Sequence, residues 1–199
     1  MNGNDGPARD GGVFLSRVGW LAAGAFGLVL AGALTAGIVI ENGLYDVTAS
    51  GQHSPLLAEV IHGTFLHAVA RNAKAVQAPA SFSKEQVLSG FRIYTERCEA
   101  CHGGPGVPRD RWVSGMNPTP PYLVDASSRF NASELYWIVS NGVKMTGMPA
   151  WGVSRPKQEI WDVVAFLKAM PSIPPGRYQE VRDRLKKAPR SAAPEPEGA

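Results

Sequence analysis

Both cysteines of this 199-residue chain fall in one pentapeptide, Cys98-Glu99-Ala100-Cys101-His102. C-x-x-C-H is the attachment signature of a c-type haem. Thiols at this spacing reach one edge of a porphyrin and add across its vinyl groups. The histidine that follows is placed to give an imidazole nitrogen to the iron. The chain is thereby constrained to wrap one covalently attached haem c, with Cys98, Cys101 and His102 holding it and His102 as a metal ligand. A bare C-x-x-C also serves as a redox dithiol or as half of a zinc site. Zinc needs two further ligands of matching spacing, and the chain has only two cysteines in all. A thioredoxin-like motif belongs in a βαβ pattern, which is not visible here. With both thiols used, no disulfide is available to report the redox compartment. The haem class does report it, because haem c is attached outside the cytoplasm in bacteria.

Residues 18–40, VGWLAAGAFGLVLAGALTAGIVI, carry no charge. At about 1.5 Å per residue this run spans the roughly 30 Å hydrocarbon core of a bilayer. Trp20 and Tyr45 stand near its two ends, as interfacial aromatics do. Arg9 and Arg17 precede it and Glu41 and Asp46 follow. The positive-inside rule then puts residues 1–17 in the cytoplasm and residues 41–199 in the periplasm, with the span in the bacterial inner membrane. The alternative is a cleaved signal peptide, with Ala31-Gly32-Ala33 or Leu34-Thr35-Ala36 as the cleavage site. The run exceeds the usual signal core of about 7–15 residues, so an uncleaved anchor is the expectation. Ala23, Gly27, Ala31 and Thr35 share one helical face, of the kind that lets a partner helix approach, although Ala and Gly are common throughout this chain.

The net charge of +3 is small and scattered, which argues against nucleic acid as a partner. No catalytic triad, phosphate loop or paired-carboxylate site is visible, and Gly103–Gly106 is too short for a phosphate cradle. Residues 1–17, rich in Gly, Asn and Asp, read as unstructured. Residues 41–80 read as a connector. Pro55 opens a helix to about Ala75 with an apolar stripe at Leu57, Val60, Ile61, Phe65 and Val69, suited to the membrane surface or a partner. His53, His62 and His67 lie there, more in the manner of surface residues than of ligands. Residues 77–80 read as the linker.

A compact domain is expected over residues 81–172. Ser83 and Gln86 form a capping box for a first helix through about Arg97, with Val87, Phe91 and Tyr94 on one side. Loops follow through Gly103–Pro108 and through Asn117-Pro118-Thr119-Pro120-Pro121. Ser133 is the expected cap of a second helix, 134–140, stopped at Asn141-Gly142. A loop with Met145 and Met148 comes next. Ser154 is the expected cap of a third helix running to about Met170, with Pro156 near its start. Ile160, Trp161, Val164, Phe166 and Leu167 suit packing on the first helix. Residues 173–199 are rich in Pro, Ala and charge. Residues 180–187 suit a short helix and the end reads as disordered.

Three stretches together, CEACH at 98–102, NGVKMTGMPAWG at 141–152 and IWDVVAFLKAMP at 160–171, resemble class I c-type cytochromes. The fuller pattern is similar to the membrane-anchored single-haem cytochromes of Proteobacteria. The resemblance covers about ninety residues. It implies an all-α fold: a small haem domain of three main helices plus loops, behind one N-terminal transmembrane helix. It also implies Met148, the methionine of G-M-P-A, as the second metal ligand. Gly147 would let the backbone approach the ring and Pro149 would stiffen the loop. Met145 is the competing methionine, and Met116 and Met170 read as core. Pro105 would pack near the proximal side. Trp112, Tyr122, Trp137 and Trp151 are candidates for the pocket wall. Arg109, Arg111 or a Trp N–H would serve a propionate.

The implied function is a non-enzymatic electron carrier of a periplasmic respiratory chain. Its donor and acceptor would be redox proteins such as a dehydrogenase or terminal oxidase, and no small-molecule substrate would meet the iron. A haem-c subunit fixed within an oxidase or dehydrogenase complex is the alternative. An open-site haem sensor or peroxidase-like protein is a third reading, and the complete G-M-P-A motif speaks against it.

Overall fold

The computed structural model of the protein describes residues 10–187, with side chains from residue 17 onward. The chain divides into two compact units between Thr48 and Ala49. Regular structure is helical, and no strand occurs among the described residues.

The first unit is one helix, α1 (Asp10–Glu41). Residues 17–41 of it are long and apolar enough to cross a membrane, a test that a signal sequence also satisfies. The helix begins eight residues before the charge-free run, within the segment expected to be unstructured. Loss of apolar character marks where hydrocarbon can end, and a helix can continue past that point into water. The first nine residues lie outside the described part.

The second unit opens with α2 (Pro55–Asn72), capped by Ser54, whose Oγ accepts from Leu57 N at 3.4 Å. Its C-terminal half packs on the domain. Val69 and Ala73 are buried, and Phe65 meets Phe130 edge-on at 6.4 Å between ring centres. Leu56 and Val60, by contrast, remain exposed.

Two helices form the centre, α3 (Lys84–Arg97) and α7 (Lys157–Ala169). Ser83 and Gln86 close the expected capping box on α3. The helices cross at Gly90, where an added Cβ would lie 1.8 Å from the Asp162 carbonyl oxygen. Only glycine permits so close a crossing. Phe91 stacks on Phe166 with ring centres 4.8 Å apart. The buried Asp162 carboxylate is satisfied by Ser89 Oγ at 2.7 Å and Gln158 Nε2 at 2.9 Å.

A single turn, α5 (Leu123–Ala126), precedes the third main helix, α6 (Ala132–Asn141), which begins at a different cap from the one expected. Asn131 Oδ1 accepts from Glu134 N, and Glu134 Oε2 accepts from Asn131 N. The Asn131…Glu134 spacing makes the capping box. Ser133 Oγ instead donates to Val76 O at 2.8 Å, joining α6 to the end of the connector. The start of α7 also differs. Ser154 ends a 3₁₀ turn, Trp151–Val153, and the helix waits until Lys157. Proline excludes the residue before it from helical geometry, so Arg155 cannot open the helix.

A last helix, α8 (Pro175–Lys187), lies in the tail. Tyr178 is fully buried in the same core as Phe91 and Phe166, and Val181 and Leu185 pack against that core. Residues 188–199, expected to be disordered, lie outside the described part.

Candidate haem site

The motif sits where α3 ends. Cys98 closes the last turn, its N–H donating to Tyr94 O at 2.8 Å. Its carbonyl accepts from both Cys101 N (3.1 Å) and His102 N (2.9 Å), which folds 99–102 into a one-turn helix, α4 (Glu99–His102). Gly103, with φ 65°, ends that turn. A Cβ there would lie 2.8 Å from Val107 O and 2.9 Å from the Tyr122 ring, so the left-handed conformation and the close packing both need glycine. The buried Tyr94 hydroxyl donates to Gly103 O at 2.7 Å.

His102 Nδ1 lies 2.8 Å from Pro121 O. A carbonyl can only accept, so Nδ1 carries the proton and Nε2 keeps its lone pair. Burial holds the His102 pKa below its usual value, opposed by the Pro121 bond and assisted by nearby Arg109. The imidazole is therefore neutral with one nitrogen available to a metal.

The two cysteines are free and half-buried. Burial pushes the Cys98 thiol up to about 12, and burial with Asp110 nearby raises Cys101. Neither thiol has the depressed pKa of a reactive redox dithiol. Among the described residues no group of three or more His, Cys, Asp or Glu side chains converges as a metal site. His62 and His67 lie exposed on α2. Two unpaired thiols and one oriented imidazole form a donor set that fits a c-type haem.

The methionine loop leaves α6 at Gly142 (φ 65°), where a Cβ would fall 2.7 Å from Met148 O. Val143 N donates to Met148 O at 3.3 Å. Thr146 Oγ1 donates to Val143 O at 2.7 Å and accepts from Met148 N at 3.1 Å. Met148 is partly buried against the core, whereas Met145 is 78% exposed with φ 60°. Met170 is fully buried, and Met116 is half-buried.

Of the expected pocket residues, Pro105 is buried, Trp137 and Trp151 are half-buried, and Trp112 and Tyr122 are exposed. Trp112 Nε1 donates to Asp110 at 3.3 Å, and Arg111 is exposed. Arg109 donates to Pro120 O and lies 4.1 Å above the Tyr122 ring. It thereby fastens the proline loop that orients His102.

Sequence reasoning missed what holds the motif from outside. Glu99, between the two cysteines, is buried. It accepts from Tyr178 Oη at 2.8 Å and pairs with Arg182 Nε at 2.8 Å, both on α8. The Tyr178 ring also covers Gly104, where a Cβ would lie 2.5 Å from it. The available signal was the apolar spacing of Tyr178, Val181 and Leu185.

Residues 85–167 match the family model described as cytochrome c oxidase, cbb3-type, subunit III. This region is accordingly a class I c-type cytochrome domain, all-helical, preceded by one apolar N-terminal helix. The domain type carries haem and transfers electrons to and from redox partners. No curated protein matches the chain.

Proposed function

We propose that this chain is a membrane-anchored monohaem cytochrome that passes single electrons in a periplasmic respiratory chain. The observation that carries the reading is the bond from His102 Nδ1 to Pro121 O inside a C-x-x-C-H turn, which prepares Nε2 as an iron ligand. Bound there, the haem supplies a one-electron ferric–ferrous couple. Cys98 and Cys101 tether it covalently, so it is retained through brief encounters with partners. Met148 is the second ligand, supported by its partial burial beside an exposed Met145. A neutral thioether favours ferrous iron more than a second imidazole would, and so raises the potential. His102 and Met148 would together hold the iron and leave it no open position for a substrate. The apolar helix holds the domain at the inner membrane, with its N-terminus cytoplasmic and the haem domain periplasmic, and confines the search for partners to two dimensions.

A second reading has a specific observation in its favour. The matched family model describes an oxidase subunit, so the domain would pass electrons within one assembly.

Absorption spectra of the purified full chain test the first reading. A near-infrared sulfur-to-iron band in the ferric form, and a ferrous spectrum unchanged by carbon monoxide, are expected. Rapid carbon monoxide binding without the band would overturn the Met148 assignment and favour an open-site protein. Recovery in mild detergent as a single species supports a free carrier, and stoichiometric co-purification with oxidase subunits supports the second reading.

A further inference from the structure

The six residues Met116–Pro121 cross from one proposed iron ligand to the other. At one end, Pro121 O accepts from His102 Nδ1. At the other, the Met116 side chain occupies the space beside Gly147, the residue before Met148. A Cβ on Gly147 would lie 2.1 Å from Met116 Cε. Between them the strap is pinned repeatedly. Met116 N donates to Val113 O at 3.0 Å, and Val113 is buried. Thr119 Oγ1 donates to Met116 O at 3.0 Å. Asn117 Nδ2 donates to Gly51 O, and Arg109 to Pro120 O. The prolines at 118, 120 and 121 add stiffness, since each fixes its own φ and restricts the residue before it.

The methionine loop closes on the end of α6 at Gly142 and packs Met148 on the core, with fewer long-range hydrogen bonds among the described residues. Its hydrogen bonds run within residues 143–148, and Gly147 presents only backbone outward. Met116 supplies a side-chain contact there, and a flexible thioether is suited to fill against bare backbone.

We propose that Met116 is a positioning residue for Met148. Held by the strap that also orients His102, it backs Gly147 and keeps the Met148 loop closed. This inference rests on Met148 as the second axial ligand. Loosening the strap at Met116 releases the distal ligand before it disturbs the proximal one, because His102 keeps its acceptor in Pro121.

The test uses the full haem-loaded chain in detergent, with the wild type and Met116→Ala, Met116→Leu and Gly147→Ala compared. Three readouts serve: the near-infrared band on heating, the carbon monoxide binding rate of the ferrous form, and the reduction potential. Met116→Ala is expected to lose the band before helicity is lost. It is expected to bind carbon monoxide about tenfold faster, in proportion to the larger open fraction, and its potential should fall. Met116→Leu, of similar volume, should restore wild-type behaviour. Gly147→Ala displaces only the mobile methyl end of Met116 and should shift the three readouts less than Met116→Ala does. A Met116→Ala protein that keeps the wild-type band, rate and potential overturns the inference alone. A wild type lacking the band overturns the Met148 assignment and this inference with it. If Met116→Ala does not fold, Met116→Val, which shortens the side chain but keeps an apolar contact, decides: wild-type behaviour there also overturns the proposal.

Discussion

On the His102 side, the haem motif is tied to parts of the chain far away in sequence. Glu99 reaches α8 through Tyr178 and Arg182, and His102 reaches the proline strap at Pro121. On the Met148 side, the side-chain hydrogen bonds among the described residues stay within residues 143–148, Met148 itself packs against the core, and Met116 covers Gly147. Long-range ties, of which the one from Glu99 to Tyr178 is buried, yield only when the elements they join come apart. Local ties break singly. The two proposed ligands therefore sit on elements of unequal local stability. The imidazole belongs to the cooperative core and the thioether to a loop that opens at the cost of a few bonds.

The largest expected effect lies beneath both sides. Gly90→Ala puts a methyl 1.8 Å from the Asp162 carbonyl oxygen, which is backbone of the facing helix and cannot turn away. Separating α3 from α7 should cost about 3 kcal/mol or more. Haem loading, read from the pyridine spectrum, should fall with helicity. Full loading at an unchanged thermal midpoint would mean the crossing is looser than it looks.

Glu99→Ala addresses the His102 side alone. It strands the Tyr178 hydroxyl and the Arg182 guanidinium in a mostly buried place. Removing one partner of a fully buried pair costs about 3–5 kcal/mol. Arg182 is 24% exposed, so water softens the loss to about 2 kcal/mol. The thermal midpoint should drop while the near-infrared band survives up to unfolding. A band lost well before unfolding would show that α8 supports the Met148 side as well, and the contrast between the sides would weaken.

This contrast was only half legible in the sequence. The motif, the Ser83–Gln86 capping box and the apolar face of α7 are local patterns, and local patterns can be read from spacing. The α3–α7 pairing followed from two apolar faces that needed cover. The α6 cap was harder, because Asn131 and Ser133 are both good caps, and the Glu134 partner that favours Asn131 lies three residues from it. The tail was misjudged for a physical reason. Its prolines and charges resemble a solvated end, yet Tyr178, Val181 and Leu185 give one face enough apolar area to dock. Nothing near Glu99 announces its partner 83 residues away. Met116 carries no periodic signal, since a strap of prolines has neither helix nor strand spacing.

The smallest expected effect is the most discriminating. Thr146→Val keeps the side-chain shape and removes two hydrogen bonds, one to Val143 O and one from Met148 N. Each contributes about 1 kcal/mol or less in a part-exposed setting. If the Met148 side opens independently, that loss falls on loop opening and not on global unfolding. The thermal midpoint should then move by no more than about 2 °C. The near-infrared band should nevertheless fade at a lower temperature than in the wild type. Global stability in a two-state domain is set by the units that open last, so a loop that opens first can weaken without lowering the midpoint. A midpoint shift as large as that of Glu99→Ala would contradict this. It would place Thr146 in the cooperative core and make the two sides one unit.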